Sequence, residues 1–196
     1  IGVMEYDGEW LEGKRWGEGV LYDRNGDTVF KGEWLNDEHL EKEMTIREKS
    51  QNSFTLHSLL EKLVIDNHCY SDGSLDSLDL GRFTSLRVLE IGDYCFASAT
   101  KLSLTSINQL EVLHIGKACF QGNGFFIHDP QRAFCVKNCV SLRELSVGDN
   151  SFSYFVTWEI SDNPSLEVVC TGKGDDDSDG RYICSFTMRS SGRAWS

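Results

Sequence analysis

Leu86-Arg87-Val88-Leu89-Glu90-Ile91-Gly92-Asp93 decides the fold, because the phrase returns as Leu110-Glu111-Val112-Leu113-His114-Ile115-Gly116-Lys117 and as Leu142-Arg143-Glu144-Leu145-Ser146-Val147-Gly148-Asp149. Its anchor recurs as Leu86, Leu110, Leu142 and Leu166, with equal first and last intervals and a longer one between. Three further columns move by the same intervals: Leu78, Leu102, Phe134 and Trp158; Leu80, Leu104, Val136 and Ile160; Leu89, Leu113, Leu145 and Val169. Phe96, Phe120 and Phe152 follow at fixed distances, and Leu60-x-x-Leu63-x-Ile65 with Tyr70 is a looser earlier copy. Columns that shift together describe one supersecondary unit stacked on its neighbours, each too small to bury its apolar side alone. Inside the phrase, period-two alternation sends Leu89 and Ile91 inward and Val88 and Glu90 outward, as in a short strand. The Leu-x-Leu segments Leu78-x-Leu80 and Leu102-x-Leu104 predict a second short strand on another side of each coil.

The first residues follow another grammar. Tyr6-Asp7-Gly8-Glu9-Trp10-Leu11-Glu12-Gly13 and Trp16-Gly17-Glu18-Gly19 lead to Phe30-Lys31-Gly32-Glu33-Trp34, and Tyr6 and Phe30 are as far apart as Leu86 and Leu110. Alternating large aromatics and glycines suit a short strand whose large side chains point one way, with glycine allowing close backbone approach on the other. Asn25-Gly26 is a hairpin signal, since both residues tolerate positive φ. These residues resemble the MORN repeat, carried by Tyr6, Gly8, Trp10, Gly13, Gly17 and Gly19 in one complete copy and by Phe30, Gly32 and Trp34 in the opening of a second. Gly2 resembles the tail of an earlier copy, so the array is expected to be truncated at its N-terminus. Asn36-Asp37-Glu38 replaces the next expected Gly, and the array is expected to stop there. The resemblance implies a structural, protein-binding module, with membrane recognition as a second role.

The 24-residue unit with Ile-Gly-Asp and a following Phe resembles the BspA type of leucine-rich repeat. The expected fold is mainly β: a MORN β-hairpin stack over 1–37, then a leucine-rich-repeat solenoid of about 24-residue coils over 54–196. Residues 38–53 are expected to be a connector with a short helix capped by Asn36 or Asp37. Tyr182 lies one such interval beyond Trp158 and should continue its column. Loop insertions fall near 121–133 and 172–181. Together the two repeat types resemble large repeat proteins of unicellular eukaryotes, which implies macromolecular binding without catalysis.

Composition narrows the chemistry. Of 196 residues, 31 are Asp or Glu and 19 Lys or Arg, a net charge of -12 that repels nucleic-acid backbones and anionic lipid. The seven cysteines read as packing residues in a reducing compartment, because Cys69, Cys95 and Cys119 share a column with Ser151. Cys135-x-x-x-Cys139 lacks a second pair at zinc spacing. No metal-binding His motif, nucleophile elbow or phosphate loop occurs, so no enzyme activity and no cofactor are expected. Asp175-x-Asp177-x-Asp179-Gly180 matches the first half of a calcium loop, but Phe186 stands where a bidentate Glu belongs. A solvated acidic loop is expected there, a cation site being the alternative.

The expected function is a protein-protein interaction scaffold, cytoplasmic and cytoskeletal or organelle-associated, with other proteins as partners. A lipid-binding adaptor acting through Lys14, Arg15, Arg24 and Lys31, or the regulatory arm of an enzyme, are the alternatives. Candidate contact residues are the outward positions Val88, Glu90, Val112, His114, Glu144, Ser146 and Val168. Phe125 and Phe126, in the segment that lengthens one coil, are candidates for a protruding loop.

Overall fold

The computed structural model describes residues 5–47, 58–72, 75–121, 131–172 and 185–189. They are mainly β, with no helix among them. The chain forms two units, Ile1–Lys42 and Glu43–Ser196.

The first unit is one antiparallel sheet of β1 (Glu5–Leu11), β2 (Lys14–Tyr22), β3 (Thr28–Leu35) and β4 (Glu38–His39), in that order. Two of its turns have a pair of residues each, Glu12-Gly13 with φ of 52° and 77° and Asn36-Asp37 with φ of 53° and 73°. Two consecutive left-handed residues give the backbone twist that closes such a tight hairpin. Asp37 thus stands in for the missing glycine, and the β3–β4 hairpin closes without one. The β2–β3 connection is longer than the Asn25-Gly26 signal implies. Only Gly26 is left-handed there, at φ 86°, while the Asp23 carboxylate accepts the N–H groups of Asn25 at 2.8 Å and Asp27 at 2.9 Å. Those donors hold the Asp23 carboxyl below its usual range.

The expected helix after Asn36 is absent over residues 38–47. β4 pairs with β3, and β5 (Glu43–Ile46) pairs in parallel with β6 (Lys62–Ile65), so the parallel sheet begins before Phe54. Met44 and Ile46 alternate with exposed Glu43 and Thr45, a period-two pattern that suits a strand; Asn36 and Asp37 are consumed by the turn and cap nothing.

In the second unit, strands alternate between two parallel sheets. β6, β8 (Val88–Ile91), β10 (Val112–Ile115), β12 (Glu144–Val147) and β14 (Val168–Thr171) extend from β5 in one sheet. β7 (Ser77–Asp79), β9 (Lys101–Thr105), β11 (Ala133–Lys137), β13 (Thr157–Ser161) and β15 (Ser185–Arg189) make the other. Each coil adds one strand to each sheet, and the register matches like with like: Leu89 beside Leu113, Leu113 beside Leu145, Phe134 beside Trp158. The inward columns of the sequence are buried, among them Leu63, Leu89, Leu113 and Leu145, all fully enclosed. The last coil departs from expectation: Phe186, not Tyr182, pairs with Trp158, so that coil is longer than the repeat spacing predicts.

The corner after the first strand of each coil shows why its residues recur. Cβ atoms placed on Gly116 or Gly148 would meet Gly92 C or Gly116 C at 2.6 Å, so only glycine allows the coils to stack this closely. Asn67 Oδ1 accepts the Asp93 N–H at 2.7 Å, and Asp93 Oδ1 accepts that of Lys117 at 2.9 Å, which explains the amide and the acid that these two coils carry in this column. Cys95 Sγ donates to Asp66 O at 3.1 Å, Cys119 Sγ to Gly92 O at 3.0 Å and Ser151 Oγ to Gly116 O at 2.7 Å. The Cys/Ser column is therefore a hydrogen-bonded rung between coils as well as a small packing residue. Burial raises the Cys69 and Cys139 thiols above their ordinary values. Cys119 is likewise held high, first by its hydrogen bond with Cys95 and then by burial.

Tyr70, Phe96, Phe120 and Phe152 complete the corner as a continuous stack, with ring centroids 5.1, 5.1 and 4.7 Å apart. All four are left-handed, at φ of 54° to 59°. That conformation costs an ordinary residue about 1–2 kcal/mol. Two gains offset it. Each ring of Phe96, Phe120 and Phe152 is fully buried, and each of their N–H groups reaches the previous coil, as in Phe152 N to Cys119 O at 2.8 Å.

Candidate interaction surface

The outward side chains of β8, β10, β12 and β14 lie side by side in register. Val88 pairs with Val112, Val112 with Glu144 and Glu144 with Val168; in the next row Glu90 pairs with His114, His114 with Ser146 and Ser146 with Cys170. Parallel pairing with no slip makes these rows continuous, and alternation keeps every one of them off the core. Val88, Glu90, Val112, His114, Glu144 and Ser146 are half-buried by their neighbours, whereas Val168 is 45% exposed.

Two diagonal pairs tie the rows together. Lys62 Nζ meets Glu90 Oε1 at 3.0 Å, and His114 Nε2 meets Glu144 Oε1 at 2.9 Å. They flank the Val88–Val112 pair on both sides and leave it as a small apolar step between two charged ridges. The partners are far apart in the chain, and their spacing carries no sign of these pairs. They arise from the parallel register, which sets Lys62 opposite Val88 and diagonal to Glu90, and His114 opposite Ser146 and diagonal to Glu144. The apolar row is also shorter than the valines suggest, since Glu144 interrupts it before Val168 and Lys62 ends it before Val88.

The outer face of the other sheet is more polar. Lys137 Nζ lies 3.1 Å from Glu159 Oε1, and Ser161 Oγ donates to the same oxygen at 3.1 Å. Glu159 beside Cys135 adds to burial in raising the Cys135 thiol. Cys139 belongs to a different corner, where its N–H donates to Asn163 Oδ1 at 2.9 Å, so Cys135 and Cys139 serve different faces. Among the described residues no group of three or more His, Cys, Asp and Glu could hold a metal ion. Phe125, Phe126, Asp175, Asp177 and Asp179 lie outside the described residues.

In the first unit, the sequence-predicted aromatics gather on one sheet face. Tyr6 packs edge-on against Trp10 at 5.2 Å and Trp34 at 5.1 Å, and Phe30 against Trp34 at 5.4 Å. Gly19 lies directly beneath the Tyr6 ring and Gly32 beneath that of Phe30, where a Cβ would collide; Gly8 faces Gly19 across the strands. Gly17, at φ 61°, and Gly13 serve turns and bends. Trp34 is buried, and its Nε1 donates to Gly19 O at 3.3 Å.

The sequence pattern offers Arg15 only as a positive charge open to lipid, and not as part of this aromatic face. Arg15 lays its guanidinium over the Trp34 ring at 4.2 Å and donates from Nε to Asp37 Oδ1 at 3.2 Å and from Nη2 to Asp37 O at 2.7 Å. The N–H of Arg15, donating to the Asp37 carboxylate, and then the guanidinium hold that carboxyl below its usual range. Arg15 is therefore a cation stacked on an aromatic and anchored by an acid, and is not a free charge.

No curated protein and no solved structure matches the chain. Residues 6–28, which span β1, its tight turn, β2 and the loop that follows, match the MORN repeat family.

Proposed function

We propose that the protein is a non-catalytic protein-interaction scaffold, in which MORN hairpins precede a leucine-rich-repeat solenoid of BspA type, within a larger cytoplasmic or cytoskeletal assembly. The observation that carries the reading is the outer face of the six-stranded parallel sheet. It offers an in-register strip with an apolar step at Val88 and Val112 between the Lys62–Glu90 and His114–Glu144 pairs. Flat strips of this kind suit partner proteins, which gain affinity from a small apolar centre and orientation from a charged rim. MORN repeats commonly bind proteins or lipids, and the acidic balance of residues 1–42, eleven acids against five bases, favours proteins. Arg15, one of the few positive charges available to an anionic headgroup, is already committed to Asp37 and Trp34.

Cross-linking mass spectrometry on native extract tests the proposal, with the full chain and its Val88→Asp/Val112→Asp variant compared. Partner cross-links from Lys62 should disappear in the variant while its circular dichroism stays unchanged. Cross-links that persist would move the contact elsewhere.

A further inference from the structure

Glu61, Arg87, Glu111, Arg143 and Glu167 each stand immediately before a strand of the six-stranded sheet, so this column alternates in sign from coil to coil. The backbone holds its members one above another: the N–H groups of Arg87, Glu111, Arg143 and Glu167 donate to the preceding member's carbonyl at 2.7, 2.8, 2.9 and 2.9 Å. Arg87, Glu111 and Arg143 have a coil on either side, so neither end of the chain is the reason that they reach the surface. Arg87 donates from Nε at 3.1 Å and from Nη2 at 2.8 Å to Glu111 Oε1. Arg143 is exposed and makes no ion pair among the described residues, although Glu111 and Glu167 bracket it. The ladder borders the row of Val88 and Val112, one residue away along each strand.

We infer, on the reading of this strip as a contact surface, that its border seats an α-helix of a partner protein lying across the strands, with acid and base alternating along one row and apolar side chains on the row beside it. Spacing selects the helix. Neighbouring coils repeat about every 4.8 Å, so the three steps from Arg87 to Glu167 cover about 14 Å. One face of a helix presents a side chain about every 5.4 Å, or about 16 Å over three steps. One face of an extended chain presents one about every 6.7 Å and is most of a rung out after two steps. Charge selects the pattern. A helix row of Glu and Lys four residues apart supports itself, and set against the ladder it places an acid on Arg143 and bases on Glu111 and Glu167. Apolar side chains on the adjoining row then meet Val88 and Val112. A second copy of the chain is a poor occupant, because its described residues contain no helix.

The probe is a fluorescein-labelled, alanine-based helical peptide in which two glutamates and two lysines alternate at spacings of about four, three and four residues, with leucines on the adjoining row. Its control has the same composition but places both glutamates before both lysines, which mismatches half of the ladder in every register. Fluorescence anisotropy with the full chain should show the alternating peptide binding about tenfold more tightly than the control. Arg143→Glu should weaken the alternating peptide by a similar factor, and changing one of the peptide's glutamates to lysine should restore binding to that variant. Equal affinities for the two peptides would overturn the ladder match, even where cross-links from Lys62 still mark the strip as a contact surface. The absence of saturation at millimolar peptide would overturn the helical occupant, as would binding that survives undiminished in the Val88→Asp/Val112→Asp variant.

Discussion

The two units repeat with the same period, yet they bury their side chains in opposite ways. In the first, hairpins lie in one sheet, aromatic rings cover glycines on a single face, and Trp34 is the only large apolar side chain to reach full burial among the described residues. In the second, each coil contributes strands to two sheets, and a continuous core runs from Ile46 to Leu166. An open sheet can shield only what its own rings cover, whereas a coil shares each buried layer with the coil before and after it. The second unit should therefore respond to a change in one layer by losing its neighbours too, and the first should respond locally.

The largest expected effect comes from Gly116→Val. Its Cβ would meet backbone atoms of Gly92 and Asp93 at 2.6 and 2.7 Å, which cannot rotate away, so the coils on either side must part. We expect loss of the cooperative unfolding transition of the second unit, read by differential scanning calorimetry, and a normal transition would break the comparison. Phe120→Ala should come next. The ring lies between Phe96 and Phe152, and its removal should cost about 3–5 kcal/mol in urea unfolding. Trp10→Ala in the open sheet should cost well under about 1 kcal/mol by the same measurement, because the ring is already largely in water.

Ser151→Ala sharpens the picture of the corner. It removes the rung to Gly116 O and leaves the Cys119 N–H without its acceptor, for an expected loss of about 1–3 kcal/mol. Acid should act on the first unit through Asp37. Its carboxyl is held low in the folded state, so its contribution is complete above the ordinary carboxylate range and fades as pH falls through the folded value. The Trp34 environment, followed by fluorescence, should therefore loosen below about pH 4, and Asp37→Asn should remove that pH dependence. The smallest effect belongs to Lys62→Ala. The Lys62–Glu90 pair is more than a third exposed, and its loss should change stability by no more than about 0.5 kcal/mol.

Much of this architecture was legible because it is periodic. Alternation around Leu89 and Ile91 determined which side chains face inward, and the column of Phe96, Phe120 and Phe152 announced a stacked ladder. The spacing of Tyr6, Gly8 and Trp10 likewise announced strands with their large side chains on one face, but that the rings lie over Gly19 and Gly32 came only from the structure. The candidate surface was legible only in part. Strict alternation placed Val88 and Val112 outside, but it could not show that Lys62 and His114 reach across to Glu90 and Glu144.

What only the tertiary structure decided has a common physical reason: it depends on register between segments far apart in the chain. Phe186 opposite Trp158, Asp37 closing a turn built for glycine, and Arg15 lying over Trp34 each follow from where a neighbouring strand sits, and local composition carries no record of that. The same holds for residues 38–47, where spacing loose enough for a helix became strand once β3 and β6 offered edges to pair with. Sequence alone determined which residues must be buried, since hydrophobic periodicity is a property of the chain itself. Their neighbours were decided by stacking, because each coil is completed only by the coil beside it.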